Sequence, residues 1–132
     1  MTILTQELRT GAAHYIVSEA NGYRSREAAV ISAGSGKLKA GAVLAKLTAT
    51  GEYVPYDPRA IGEPPAAPTD GSQTAVAILF EGGDATDADL KRTITARDTE
   101  VHGAALHWVE GLTDNQKSAA LASLAGLGII AR

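Results

Sequence analysis

Apolar and polar residues alternate with a period of two over several short stretches, so strands rather than helices are expected for most of the chain. In "GAVLAKLTATGEYVPY", Val43, Ala45 and Leu47 alternate with Leu44, Lys46 and Thr48; the pattern breaks at Thr50-Gly51 and resumes over Glu52 to Tyr56. Two strands joined by a tight turn are expected. "QTAVAILF" is an apolar run too short for a typical helix and rich in β-formers, and should be the most buried strand. "KRTITARD" returns to alternation, with Ile94 and Ala96 on one side and Thr93, Thr95 and Arg97 on the other, as in a half-buried strand. Between these two, "GGDATDADL" reads as a turn, with Thr86 or Asp87 capping a short helix. "TEVHGAALHWVEG" reads as a strand that carries Leu106 and Trp108 into packing and ends at Glu110-Gly111.

The period becomes helical only towards the end of the chain. In "LTDNQKSAALASLAGLG", Thr113 as N-cap and Gln116 three residues on form a capping box, which satisfies free amide hydrogens at a helix start. Ala120, Leu121, Leu124 and Leu127 mark one face of a helix over about residues 114–125. Gly126 or Gly128 stops it in a left-handed conformation, leaving "IIAR" as a short strand or tail. At the other end, "HYIVSEANGYRSREAAVIS" is extended in character, and Asn21-Gly22 suits a type I′ hairpin turn or the bend of an arm. Residues 1–14 show no periodicity, as in an arm that orders on meeting a partner.

The five prolines, Pro55, Pro58, Pro64, Pro65 and Pro68, all fall in "VPYDPRAIGEPPAAPTDGS". Without a donor and with φ fixed, proline excludes a central strand there, so a long surface loop divides the chain. With 132 residues the chain suits one domain, which should bury roughly 65 to 70% of its unfolded surface. Much of its apolar content is alanine and only six residues are aromatic, so the core must be built from small and branched side chains, and oligomerisation would help it. Twelve basic against fifteen acidic residues, without a long run of either sign, argue against a nucleic-acid partner. The chain contains no cysteine, which removes disulfides, thiolate zinc sites and cysteine nucleophiles. Glu7 and Arg9 interrupt the place of a secretory apolar run, and nowhere do about 18 apolar residues follow one another, so a soluble protein without a membrane partner is expected.

Candidate chemistry changes this picture little. His102 and His107 are five apart, which turns them about 140° from each other on a helix and puts them on opposite faces of a strand, so they do not easily share a metal ion. His14 is the third histidine, and nothing in the sequence brings it to the other two. "SAGSGKL" lacks both the first glycine and the final Ser or Thr of a phosphate-binding loop, since Ile31 and Leu38 stand there, and reads as a Gly-rich turn. Asp84, Asp87 and Asp89 lack the glycine and terminal glutamate of a calcium loop. No serine sits in a Gly-x-Ser-x-Gly elbow. Neither catalysis, metal nor cofactor has positive support. The single tryptophan, Trp108, anchors either the core or a subunit interface.

"GEYVPYD" followed by the proline-rich loop, "DGSQTAVAILFEG", "LKRTITARDTEVHGAALHWVEG", a capped helix and "GLGII" together resemble the head decoration proteins of tailed bacteriophages, the lambda protein D family. The resemblance covers about residues 30–132, and Leu106-x-Trp108-x-Glu110-Gly111 before the helix is its most telling piece. It implies a small β-rich domain over residues 31–132, mainly β with one C-terminal helix, preceded by an extended arm over residues 1–30. The arm would bind the capsid through Tyr15, Ile16, Val17, Ser18, Glu19, Asn21, Gly22, Tyr23 and Arg24. Leu106 and Trp108 would serve the core or a trimer interface. The resemblance further implies a non-enzymatic virion protein, made in the host cytoplasm. It would sit as a homotrimer on the outer surface at local three-fold sites, cementing the major capsid protein. A small metal-dependent enzyme and a tail-associated or adaptor β-module are the competing readings.

Overall fold

The computed structural model describes residues 11–132; residues 1–10 of the expected arm lie outside it. Along these residues run β1 (Ile16–Glu19), β2 (Arg26–Ile31), β3 (Gly36–Leu38), β4 (Val43–Lys46), β5 (Tyr53–Pro55), β6 (Ala75–Leu79), β7 (Gly83–Ala85), β8 (Leu90–Thr95), β9 (Thr99–Val101), α1 (Asp114–Ala125) and β10 (Ile129–Ala131). The fold is mainly β with one helix near the C-terminus, as the periodicity predicts.

Five strands close into a small barrel in the order β2-β5-β4-β6-β8. β2 and β8 pair antiparallel from Arg26 opposite Thr95 to Ile31 opposite Leu90, β4 pairs antiparallel with β5 and with β6, and a parallel contact of Ile31 with Tyr53 completes the ring. So few strands leave a narrow interior. Small residues fit it: Ala29, Ala42, Ala77 and Ala85 pack there with Ile31, Leu44, Leu79 and Ile94. The alanine-rich composition is thus matched to a tight barrel.

A second core lies against the outside of the barrel wall. Val43 and Ala45 of β4 and Ala75 and Ile78 of β6 face it, and Ala120 and Leu124 of α1 cover it together with Tyr15, Val101, Leu106 and Ile129. β4 and β6 are therefore buried on both faces, which is why "QTAVAILF" is continuously apolar rather than alternating. A three-stranded sheet in the order β1-β9-β10 flanks this core, with β1 antiparallel and β10 parallel to β9.

The helix forms where the capping box places it. Thr113 Oγ1 accepts the Gln116 amide N–H at 3.2 Å, and Gln116 Oε1 accepts the Thr113 N–H at 2.9 Å. Ala120 and Leu124 are buried and Leu121 packs beside them, but Leu127 is exposed because it lies beyond the last helical turn. Gly128 then turns the chain into β10 with φ +82°, and a Cβ there would lie 2.7 Å from Asp98 Oδ1. Replacing Thr113 by alanine is expected to cost about 1 kcal/mol; thermal unfolding followed by circular dichroism should show a Tm lowered by a few degrees.

Four local expectations are corrected by long-range pairing. Residues 83–85 form β7 against β3 instead of leading into a helix, and Thr86 donates both its N–H and its hydroxyl to Asp84 Oδ1 in a tight turn. "TEVHGAALHWVEG" is not one strand. β9 ends at Val101, Gly103–Ala105 make a 3-10 turn, and His107 meets Ala42 in a single bridge. The break follows from its partners: His102 N–H donates to Tyr15 O and Gly103 N–H to Arg132 O, after which Ala105 and Leu106 turn inward to the core. Asn21-Gly22 does make a turn, with Gly22 at φ +66°, but no hairpin, since β1 pairs with β9 and β2 with β8. For the same reason the arm does not end at residue 30: that boundary falls inside β2, a wall of the barrel.

Candidate functional site

Residues 15–26 connect the flanking sheet to the barrel, and their interior side chains fix them there. Tyr15, expected on the arm, is fully buried, and its hydroxyl lies 2.6 Å from Thr95 Oγ1. Burial pushes the Tyr15 phenol well above the usual tyrosine range; Glu19 adds to this, while the Thr95 hydrogen bond and Arg26 oppose it. The buried Ser25 hydroxyl donates to Asp98 O at 2.9 Å and accepts the Ala20 N–H at 3.0 Å. Arg26 grips both carboxylate oxygens of Glu19, and its guanidinium lies 4.4 Å from the centroid of the Phe80 ring. Tyr15 therefore belongs to the core and is no surface contact.

What this anchoring leaves outside is an apolar and polar strip. Val17 is 46% and Tyr23 81% exposed. Ser18, Asn21, Gly22 and Arg24 are exposed beside them, whereas Ile16 and Glu19 are half-buried. Ser18 donates to Glu100 Oε1 at 3.1 Å, and Glu100 is also held by Arg132 at 2.8 Å. Both hydrogen bonds and the nearby Arg132 charge lower the Glu100 carboxyl below its usual range. β1 is an edge strand, with β9 on one side and its other edge unpaired in the sheet.

Leu106 and Trp108 separate into two roles. Leu106 is buried in the core outside the barrel. Trp108 is half-buried: its ring meets Tyr56 edge to face, centroids 6.3 Å apart, and the buried Tyr56 in turn donates its hydroxyl to Gln116 O at 2.9 Å. Trp108 also lines a groove of about 360 Å³ with Leu38, Val43 and Pro55, where Lys37 and Lys39 contribute cationic side chains. His107 lines the same groove and lies 5.8 Å, ring to ring, from His14, a meeting that no local pattern shows. His102 is exposed. Among the described residues no three His, Cys, Asp or Glu side chains are grouped to hold a metal ion, and no helix is long and apolar enough to cross a membrane.

The proline-rich loop is more ordered than its composition suggests. Arg59 donates through Nε and Nη2 to the two Asp57 carboxylate oxygens, both at 2.9 Å, and through Nη1 to Glu110 O at 2.9 Å. The guanidinium holds the Asp57 carboxyl below its ordinary range. Ile61 and Ala66 then exchange both backbone hydrogen bonds, at 2.9 and 3.0 Å, and close a tip that contains a cis Glu63-Pro64 peptide. Residues 59–67 are all exposed, Ile61 at 64%. Sequence reasoning missed this tip because its closure depends on Glu110, 51 positions beyond Arg59.

A family model for the bacteriophage lambda head decoration protein D matches residues 3–129. The chain belongs to this family. Lambda-type head decoration proteins are structural components of the phage capsid, which makes this a virion protein rather than one of an enzyme family. The match begins well before residue 30, in accord with β1 and β2 being integral to the domain. No curated protein sequence matches the chain.

Proposed function

We propose that this decoration protein binds the outer surface of the expanded phage head as a homotrimer at local three-fold sites. There it cements neighbouring major capsid subunits and helps the shell withstand packaged DNA; no catalysis, cofactor or direct nucleic-acid contact enters the mechanism. The family match over nearly the whole chain carries this reading.

The exposed strip of residues 16–24 supports it. A shell segment can pair with the unpaired edge of β1, where backbone hydrogen bonds supply affinity and alternate side chains such as Val17 supply register. Ordering a free arm costs about 1 to 2 kcal/mol per residue, but β1 is already held by β9 and Tyr15, so this cost is met on folding. A trimer presents three such strips at once. After the first docks, the others bind at high effective concentration, and a symmetric trimer fits a three-fold site without strain.

Mixing the protein with purified expanded heads should give added density at three-fold positions in images of the shell. Val17→Asp with Tyr23→Ala, both at exposed positions, should leave thermal stability nearly unchanged and abolish that density. Undiminished binding by this folded variant would remove the strip from the mechanism. Heads that take up no unsubstituted protein would remove the decoration reading itself. Deleting residues 1–25 is not an equivalent test, because it also removes Tyr15 and Ser25 from the interior.

A further inference from the structure

The proline-rich tip and the Trp108 groove are complementary surfaces of one chain that do not meet within that chain, and we infer that they meet between neighbouring copies in the trimer. The inference rests on the trimeric reading above and identifies its seam. The tip is preorganised by the Arg59 clamp and the Ile61–Ala66 bridge, so little conformational freedom is lost when it docks. It presents Ile61, Pro64 and Pro65 to solvent, and Glu63 is its one charge between the clamped Arg59 and Asp70. The groove offers the matching chemistry. Trp108 and Pro55 supply flat apolar faces of the kind on which proline rings stack, and Lys37 and Lys39 supply positive charge for Glu63. Lys37 stands opposite Asp84 in the β3–β7 ladder, so one of the two lysines already has a carboxylate neighbour; the groove keeps a cationic excess.

Tip and groove are different patches of the same chain. Joining one to the other is a head-to-tail contact, which generates a closed ring when the rotation between copies is 120°. The second face of Trp108 then has an occupant: the ring packs on Tyr56 within its own subunit and on the neighbour's tip across the seam. This contact is independent of the β1 strip, which is left for the shell.

Because the chain contains no cysteine, the seam can be read directly. Expanded heads decorated with a mixture of Glu63→Cys and Lys37→Cys chains should yield disulfide-linked dimers on mild oxidation, and chains carrying both substitutions should yield covalent trimers. Fully decorated heads that give monomers alone, or adducts of Glu63→Cys with the shell protein through a photoreactive thiol reagent, would overturn the seam and leave the decoration reading standing. Heads that bind no unsubstituted protein would overturn both. If the cysteine variants fail to bind, charge exchange decides. Glu63→Lys and Lys37→Glu should each weaken binding at least about tenfold, and combining them should restore it; absence of restoration would overturn the pairing.

Discussion

Tyr15→Ala is expected to destabilise the protein by about 3 to 5 kcal/mol, enough to unfold a large fraction of a marginally stable domain at ambient temperature. The ring is fully buried where the flanking sheet, the barrel and the 3-10 turn converge. Tyr15→Phe keeps the ring but leaves the buried Thr95 hydroxyl without its partner at 2.6 Å, and should cost about 1 to 3 kcal/mol. Combining Tyr15→Phe with Thr95→Val removes both polar groups together and should recover much of that loss. Urea unfolding of the four proteins measures the cycle. An additive result would show that the two residues do not interact.

The same bond gives the stability a direction with pH. Burial, the largest cause, raises the phenol above its ordinary value of 10.0 in the folded protein. Its protonated form is therefore favoured by folding, and the contribution is fully present below pH 10. As pH rises past 10 the unfolded chain loses this proton while the folded one keeps it, so stability falls. The difference between the unsubstituted protein and Tyr15→Phe should shrink accordingly between pH 9 and pH 11. A constant difference would mean that the phenol ionises equally in both states.

Gly71→Ala should be the second large effect, at roughly 2 to 5 kcal/mol from overpacking and backbone strain together. Gly71 adopts φ +107°, and an added Cβ would lie 2.1 Å from Lys46 O and 3.1 Å from its carbonyl carbon. Both neighbours are backbone of β4, a barrel strand, so neither yields as a flexible side chain would. Gly71 sits just after Asp70, whose carbonyl accepts the Thr48 N–H at 2.9 Å, and this close approach returns the proline-rich loop to the barrel. A urea midpoint unchanged by Gly71→Ala would contradict that approach. In decorated heads the same substitution should also reduce Glu63→Cys crosslinking, since it loosens the base of the tip.

Legibility in the sequence followed the range of the interactions. The capping box of Thr113 and Gln116 is a contact three residues long, and the helix lies where that contact predicts. β4 and β5 meet across a short connection, and their pairing was equally readable from the break at Thr50-Gly51. β7, the 3-10 turn and the missing hairpin at Asn21-Gly22 were not readable, because each is decided by a partner far along the chain: β3 for β7, Tyr15 and Arg132 for the residues after β9, β9 and β8 for the strands beside Gly22. The candidate site divides in the same way. Val17 and Tyr23 lie exposed on the segment where contacts were expected, while Tyr15, one or two positions from exposed neighbours, is interior. Local pattern could not separate them, since the burial of Tyr15 depends on Thr95, 80 residues away.

By itself the sequence determined a β-rich domain with one capped helix, a core of small side chains, no cysteine chemistry and the resemblance to head decoration proteins. These properties reside in composition, in short-period patterning and in contacts a few residues long. Only the tertiary structure decided that "TEVHGAALHWVEG" divides its work, with Leu106 in the interior and Trp108 at the rim of a groove, and that the proline-rich loop ends in an ordered tip. The reason is physical: a strand's edge and a ring's second face acquire a role only when residues dozens of positions apart are brought beside them.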